Sequence, residues 1–351
     1  MAHILGKANK EMKKDDNRRG IAFLDRPELG RQIQLVKRME ELGYDSAWVC
    51  ETRLARDAIS VLGAFAASTS RIRLGTGIVN TWTRGPALMA VTFATLNELA
   101  PGRMICGLGA YWDPLAWKQG IDRKKPLTQM KEYVEVLRRL LALEEDVSFS
   151  GEVVNVRDIS LDLGHGMKRE KIPVSIAIGP TGPKMMELAG EIADVVVLNG
   201  LLSADYTRKS IEKIKMGAKN VGRDFRSIDC PQFVNVSMSS DGDSALKNAH
   251  YLVTKYLGQQ PHIGKASGLD EDLLLKINQT MGGWPARANG IEDAMKLVSL
   301  DLVNQLTVSG TPDTCRSRVR EWTDAGATFP IIVPLSDNYE EIVEAFSDKF
   351  F

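Results

Sequence analysis

The stretch from Arg71 to Gly109 constrains the fold most. Ile72–Val79 is an apolar run, rich in β-branched residues and punctuated by glycine, that ends at Asn80. A strand buried on both faces reads this way, as strands of a parallel sheet do. Pro86 opens a segment with Ala87, Leu88, Val91, Leu96 and Leu99 at helical spacing, closed by Pro101-Gly102. Met104–Leu108 is a second buried strand whose exit carries Gly107 and Gly109. The unit is strand–loop–helix–strand, with polar and glycine residues gathered after each strand's C-terminal end. In (β/α)8 barrels that rim holds the chemistry.

The rest of the chain repeats the alternation. Gly20–Leu24 is a first strand, and Pro27 starts an amphipathic helix (Leu29, Ile33, Val36, Met39) ended by Gly43. Tyr44–Cys50 is a strand followed by Glu51-Thr52-Arg53, and Asp57–Ser68 is helical. Beyond Gly109 come an aromatic loop, Ala110–Trp117, and a helix over Pro126–Leu143. Val147–Ile172 breaks the pattern with a hairpin around Gly151, which reads as an insertion. Strands resume at Pro173–Ile178, Asp194–Leu198 and Gln232–Met238, with helices over Lys184–Ala193 and Asp205–Val221. Ser244–Leu302 is helical and too long for one barrel helix, so it reads as an excursion after the seventh strand. Thr311-Pro312-Asp313 starts a last helix, and Phe329–Pro334 is a last strand. Eight strands in βα order predict an α/β fold, a (β/α)8 TIM barrel over residues 20–351, with insertions near 146–171 and 244–302. An open doubly wound sheet is the alternative. Met1–Arg19, polar and lysine-rich, reads as a flexible tail.

Composition bounds the function. The 351 residues are 44% hydrophobic, enough for one barrel-sized core, and the formal net charge of zero argues against a general nucleic-acid binder. No run has membrane-spanning length or signal-peptide form. Cys50, Cys106, Cys230 and Cys315 are far apart in sequence, as in a cytoplasmic protein with reduced thiols. His3, His165, His250 and His262 lack ligand spacing and none abuts a strand end, so no metal site is indicated. Gly164-His165-Gly166 reads as a turn, and Arg123-Lys124-Lys125 as a solvated face. The apolar helix Ala87–Leu99 favours a homodimer or a higher homo-oligomer.

Three groups of residues are candidates for a site. Gly179-Pro180-Thr181-Gly182-Pro183 lies between a buried strand and a helix start, where free N–H groups and the helix dipole suit an anion. Ordinary capping of a βα loop is the competing reading. Glu51 follows the second strand, where a carboxylate can handle protons; a salt bridge to Arg53 or Arg56 weighs equally. Tyr111, Trp112 and Trp117, joined by Trp82, offer a stacking wall for a planar ring, or else a packed lid.

The segments Leu74–Asn80 with Arg84-Gly85-Pro86, Ala94–Leu99 with Pro101-Gly102-Arg103, and Gly107-Leu108-Gly109 resemble the luciferase-like flavin and deazaflavin oxidoreductases. Gly120-Ile121 with Lys125-Pro126-Leu127, Gly182–Gly190 with Ile192-Ala193-Asp194, and Gly310–Asp313 extend the resemblance in order. The nearest pattern is that of the methylenetetrahydromethanopterin reductases. The resemblance implies a barrel with a deazaflavin or flavin ring across its C-terminal mouth and a non-prolyl cis bond in the third strand, here Gly77–Ile78. It implies that Gly77, Ile78 and Asn80 shape the inner face of the ring site; Gly109 and Trp112, at the next strand's exit, are further cofactor-binding candidates on the reading of the residues themselves. Gly179, Thr181, Gly182 and Pro183 would hold the cofactor tail.

Two positions depart from the pattern. The resemblance implies a glutamate at the end of strand one, where this chain has Ala22, and an aspartate in the loop after strand four, where it has Trp112. Many relatives also carry Asp-His where this chain has Glu51-Thr52. Neither alanine nor tryptophan transfers protons, so the cofactor cradle is better supported than pterin reduction. The expectation is an oxidoreductase moving hydride between coenzyme F420 and a small organic substrate, such as a C1-carrying pterin, with Glu51 as the catalytic proton-handling residue. An FMN-dependent monooxygenase, a catalytically degenerate cofactor-binding barrel, and a non-redox hydrolase or lyase are the alternatives.

Overall fold

The computed structural model describes residues 17–164 and 170–347. Of the tail expected over 1–19, residues 1–16 lie outside the described residues, as does the turn at His165. Arg18 and Arg19 are instead built into the fold, Arg18 pairing with Asp45 and Asp229 and Arg19 lying buried over the Tyr44 ring, because both guanidinium groups find partners at the start of the barrel. In chain order the first half comprises β1 (Gly20–Phe23), α1 (Leu29–Glu41), β2 (Ser46–Val49), α2 (Ala58–Ser68), β3 (Arg73–Thr76) and β4 (Val79–Asn80). It continues with α3 (Pro86–Leu99), β5 (Met104–Gly109), α4 (Leu115–Lys118), α5 (Pro126–Leu141), β6 (Val147–Ser150) and β7 (Asn155–Ile159). The second half opens with β8 (Ser175–Ile178), α6 (Pro183–Ile192), β9 (Val195–Val196), α7 (Ala204–Asn220) and β10 (Gln232–Met238). Then come α8 (Gly242–Gln259), α9 (Pro261–Ala266), α10 (Glu271–Met281), α11 (Gly290–Met295) and α12 (Leu300–Leu306). The chain finishes with β11 (Val308–Gly310), α13 (Pro312–Asp324), β12 (Pro330–Pro334) and α14 (Tyr339–Ala345).

The main sheet is parallel in the order β11-β10-β12-β1-β2-β3-β5-β8-β9, with β4 also on β5. Parallel bridges Val195–Asp229 and Leu198–Gln232 join the β9 end to the β10 end. The sheet is thus curled on itself, a TIM-barrel-like fold, and the open doubly wound alternative is excluded. The strands are short, and each strand of the main sheet except β3, which runs on into β4, is followed by a helix that returns the chain, which is what a parallel register demands.

Apolar side chains pack in two layers. Outside the sheet, residues such as Leu62, Phe65, Phe93, Leu137 and Ile214 bury the helices against the strands. Inside, Ala22, Trp48, Ile105, Ala177, Val197, Ile331 and Val333 form a second cluster, with Trp48 fully buried. That interior cluster plugs the barrel beneath its C-terminal rim.

Several segments differ from expectation. The strand expected over Asp194–Leu198 has only Val195–Val196 in ladder pairing, because Leu198 swings across to bridge β10. β11 is a ninth parallel strand, three residues long, that pairs with the upper end of β10. A helix after the last strand, α14, was not expected; it packs Ile342, Val343 and Phe346 into the outer core. β6 and β7 pair antiparallel as a separate two-stranded sheet. Between β10 and β11 the chain runs through α8 to α12, and this helical segment leans over one side of the rim.

Candidate active site

The strand exits surround a cavity of about 1380 Å³, counting its open mouth. Its floor is made where the chain leaves β3. Gly77–Ile78 is a cis peptide bond, and Ile78 is set over β5 and β8. A Cβ at Gly109 would fall 1.6 Å from Ile78 Cδ1, and one at Gly179 would fall 3.1 Å from Cγ2. The two strands therefore lack side chains where Ile78 needs room. Gly77 is flanked from the other side by Phe233 of β10.

Of the expected cofactor residues, Gly77, Ile78, Asn80, Trp112, Gly179, Thr181 and Gly182 line this cavity. Two do not. Gly109 lies beneath Ile78, so its part is to make space rather than to meet a ligand. Pro183 is the first residue of α6, one step behind the wall formed by Thr181, Gly182 and Met185. Asn80 is buried, and its Oδ1 already accepts from the Trp82 and Thr83 N–H groups, both at 2.9 Å, and from the Thr83 hydroxyl. This turn leaves the Asn80 amide N–H₂ as the part available to a ligand. α6 begins with Gly182 as N-cap and no side-chain cap, which leaves its first N–H groups free for an anion.

Glu51 lines the cavity, but its partner is neither Arg53 nor Arg56. Arg84 Nη1 donates to Oε2 at 2.8 Å and Nη2 to Oε1 at 2.9 Å, and Asp57 takes a further bond from Nη2. The loop after β4 folds back over the β2 exit, which sequence neighbours could not reveal. With both oxygens accepting from the guanidinium, Glu51 meets the cavity as an acceptor. The same hydrogen bonds raise the Arg84 pKa, fixing its charge.

The aromatic loop divides into parts. Trp112 lines the cavity and meets Trp284 edge-on, 5.7 Å between ring centroids. Lys118 donates to the Trp284 carbonyl at 2.8 Å, so the loop is pinned to the helical segment. Tyr111 joins the wall, and burial raises its pKa. Trp82 braces the loop instead, donating to the Ala110 carbonyl at 3.1 Å. Trp117 is 71% exposed and stands outside the wall, because α4 turns it to solvent. Arg123 is no solvated charge: it donates to the carbonyls of Ala110 and Tyr111, both at 3.0 Å, and pairs with Asp113. It clamps the loop from behind.

Other lining residues were not singled out by sequence. Asn199, Phe233 and Asn235 sit at the exits of strands, a signal that position alone could have supplied. Tyr256, Gln260, His262 and Ile263 come from α8, α9 and the junction between them, which no local pattern places over a barrel mouth. His262 has its pKa lowered by burial and by the charge of Arg123. Cys50 also lines the wall, and burial pushes its thiol up to about 12, so it is inert as a nucleophile near neutrality. Ala22 is fully buried in the barrel interior, and Leu24 is the β1-exit side chain on the cavity.

A cis-linked Gly–Ile floor, an uncapped helix start close beside it and an aromatic wall at the mouth of a TIM-barrel-like fold define a class. A family model described as luciferase-like monooxygenase matches residues 11–328, and the chain belongs to that family. It is 30% identical over 330 residues to the 5,10-methylenetetrahydromethanopterin reductase of Methanolobus tindarius, covering 93% of this chain and 97% of that one. It is 29% identical over 228 residues to an F420-dependent glucose-6-phosphate dehydrogenase of Microbacterium testaceum, covering 60% and 65%. Among solved structures, the coenzyme F420 dependent tetrahydromethanopterin reductase of Methanopyrus kandleri superposes with a TM-score of 0.80 at 26% identity, covering 93% and 96%. These relatives are oxidoreductases, and those whose names give a cofactor use F420. Among the described residues no helix is long and apolar enough to cross a membrane.

Proposed function

We propose that this chain is an F420-dependent oxidoreductase that exchanges hydride between the deazaflavin and a small organic substrate. The observation that carries the reading is the floor itself. Ile78 is packed over two side-chainless positions and shares one cavity with an uncapped helix start, in a chain whose relatives include F420 enzymes. When bound, the deazaflavin supplies the hydride chemistry. This chain's residues do the rest. Gly77 and Ile78 support one face of the ring, and the Asn80 amide donates to its polar edge. Gly179, Thr181 and Gly182, with the first N–H groups of α6, take the acidic tail. Trp112 and Tyr111 wall the opposite side and exclude water, and Glu51, fixed by Arg84, is an acceptor at the rim for a substrate proton or hydroxyl. Positioning at contact distance is where such a site gains most of its rate.

Reduction of a methylene-pterin is the substrate reading that the 30% relative favours. Ala22 and Trp112, at the positions where an acid is expected, weigh against it. The same reading takes the chain as a cytoplasmic homodimer, with Leu88, Val91 and Leu99 exposed along α3 as the joining face. The test is a titration of purified protein with F420, followed by its absorption spectrum. Saturable quenching of F420 fluorescence supports the reading. FMN that copurifies and turns over with oxygen would replace it with the flavin monooxygenase reading.

A further inference from the structure

The chain past β2 is bent to place one side chain. Arg53 and Leu54 both have left-handed backbone, with φ of 52° and 55°, a region that residues with side chains rarely occupy and that clusters at functional positions. Leu54 is 69% exposed, so no packing of its own explains the bend. Arg53 is different. Its side chain is only 9% exposed, its Nη1 is buried without a hydrogen-bond partner, and the nearest carboxylate, Asp25, is 3.8 Å from Nη2 and 45% exposed. An unpartnered nitrogen on a buried guanidinium calls for a reason.

The reason lies on its other side. The guanidinium carbon sits 4.8 Å from the ring centroid of Tyr256, and Tyr256 lines the cavity. Tyr256 is among the residues that line the cavity and Arg53 is not, so the charge of Arg53 acts on the cavity through that phenol. The nearby carboxylate of Glu51 is already engaged by Arg84. The groups facing Tyr256 are Asp25 at the β1 exit, Cys50 and Arg53 at the β2 exit, and Lys255 beside it on α8; Glu51, Tyr111 and His262 also line the cavity. Burial raises the phenol's pKa and Arg53 opposes the rise, while Cys50 and Asp25 add to it. At neutral pH the group is therefore an O–H donor backed by a cation.

We infer that Tyr256 is the proton donor of the cavity's substrate wall, that Arg53 is the positioning residue steadying charge on its oxygen, and that the substrate is a carbonyl–alcohol couple. This rests on the deazaflavin reading above. As the carbonyl carbon gains a hydride from a reduced 5-deazaflavin, the C=O π pair moves to oxygen, and that oxygen takes the Tyr256 proton. The Tyr256 O–H pair stays on the phenolate beside Arg53, and water at the mouth returns the proton. The carbonyl is reduced and the deazaflavin oxidised; in reverse, the phenolate takes the alcohol proton. Donors aimed at developing oxyanion charge commonly carry much of such a rate.

The test has two arms. In the cofactor-free protein labelled with 3-fluorotyrosine, the Tyr256 ¹⁹F resonance is assigned by its loss in Y256F. Arg53→Met is expected to move its titration midpoint up by about one pH unit, and Arg53→Lys to restore most of the shift. In the F420-loaded enzyme, with acetone, glyoxylate and benzaldehyde as probes, Y256F is expected to lower kcat about 100-fold while F420 affinity stays within about twofold. Arg53→Met should move the basic limb of the pH profile upward. An unchanged midpoint in Arg53→Met, or a Y256F enzyme as fast as the wild type, overturns the proposal. So does a wild type that binds F420 and reduces none of the probes. A wild type that binds no F420 counts against the deazaflavin reading instead, and the ¹⁹F arm then decides the Arg53–Tyr256 pair alone.

Discussion

Gly109→Ala puts one methyl group where the Ile78 side chain now lies. The new Cβ would be 1.6 Å from Ile78 Cδ1 and 3.0 Å from Cγ1, where carbon atoms in contact stand about 3.5–4.0 Å apart. The overlap, about 2 Å, has two outlets: β5 moves back, or Ile78 moves up into the cavity. β5 is paired on both sides, to β3 and β8, so Ile78 gives way. Overpacking of this kind costs about 1–3 kcal/mol, and a raised Ile78 occupies the ring site. The expected result is a melting point lowered by a few degrees and F420 affinity, read by fluorescence quenching, weakened at least about tenfold. Gly109→Ala combined with Ile78→Val removes the Cδ1 atom and should recover most of that affinity, a coupling that separate sites would not show. Gly107→Ala is the contrast, since its Cβ would meet the Thr76 backbone oxygen at 1.9 Å. It should unfold the rim, and no side-chain trimming should rescue it. The reasoning is refuted if Gly109→Ala binds F420 like the wild type, or if the double variant binds no better than the single.

Arg84→Met leaves Glu51 and Asp57 without their shared cation, and chemical denaturation should show a loss of about 1–3 kcal/mol. Adding Glu51→Gln should return part of it. Glu40 tests pH dependence: burial alone would raise its pKa, but N–H donors at Ile72, Arg71 and Ser70 outweigh this and hold it at about 2. Its folded pKa lies below the unfolded value, so its contribution is complete above about pH 4.5 and is lost as pH falls toward 2. Glu40→Gln should therefore lower the melting point at pH 7 and flatten its decline below pH 4.5. Arg123→Met removes the clamp on Ala110 and Tyr111 and a cation that depresses His262. The His262 pKa should rise in proton NMR titrations, and the Trp112 loop should exchange amide protons faster.

The barrel was legible because its strands carry their burial in composition: Ile72–Val79, Met104–Leu108 and Gln232–Met238 read as strands without reference to any other segment, the first of them interrupted in the fold at the Gly77–Ile78 bond between β3 and β4. Exits could be located the same way, and with them Gly77, Asn80, Gly179 and Thr181. What stayed hidden depends on distance in sequence. Arg84 reaching Glu51 spans a helix-bearing unit, and Tyr256 reaches the β2 exit from a helix some two hundred residues away. A sequence reading finds the nearest opposite charge, hence the expectation of Arg53 or Arg56, while the fold delivers another. Gly109 shows a subtler gap. Its place at a strand exit reads the same whether it meets a ligand or makes room for a neighbour, and the fold sets it beneath Ile78. Arg123 reads as surface charge until the carbonyls it holds are in place.

The central claim is that the Gly77–Ile78 floor and the α6 N-terminus form a deazaflavin site. The most direct test is equilibrium titration of purified, cofactor-free protein with oxidised F420, with FMN as competitor and the melting point followed in parallel. The expected result is saturable quenching, a melting point that rises with F420, since a ligand of the native state stabilises it, and little competition from FMN. FMN that displaces F420 at equal concentration, or a melting point that neither ligand moves, would contradict it.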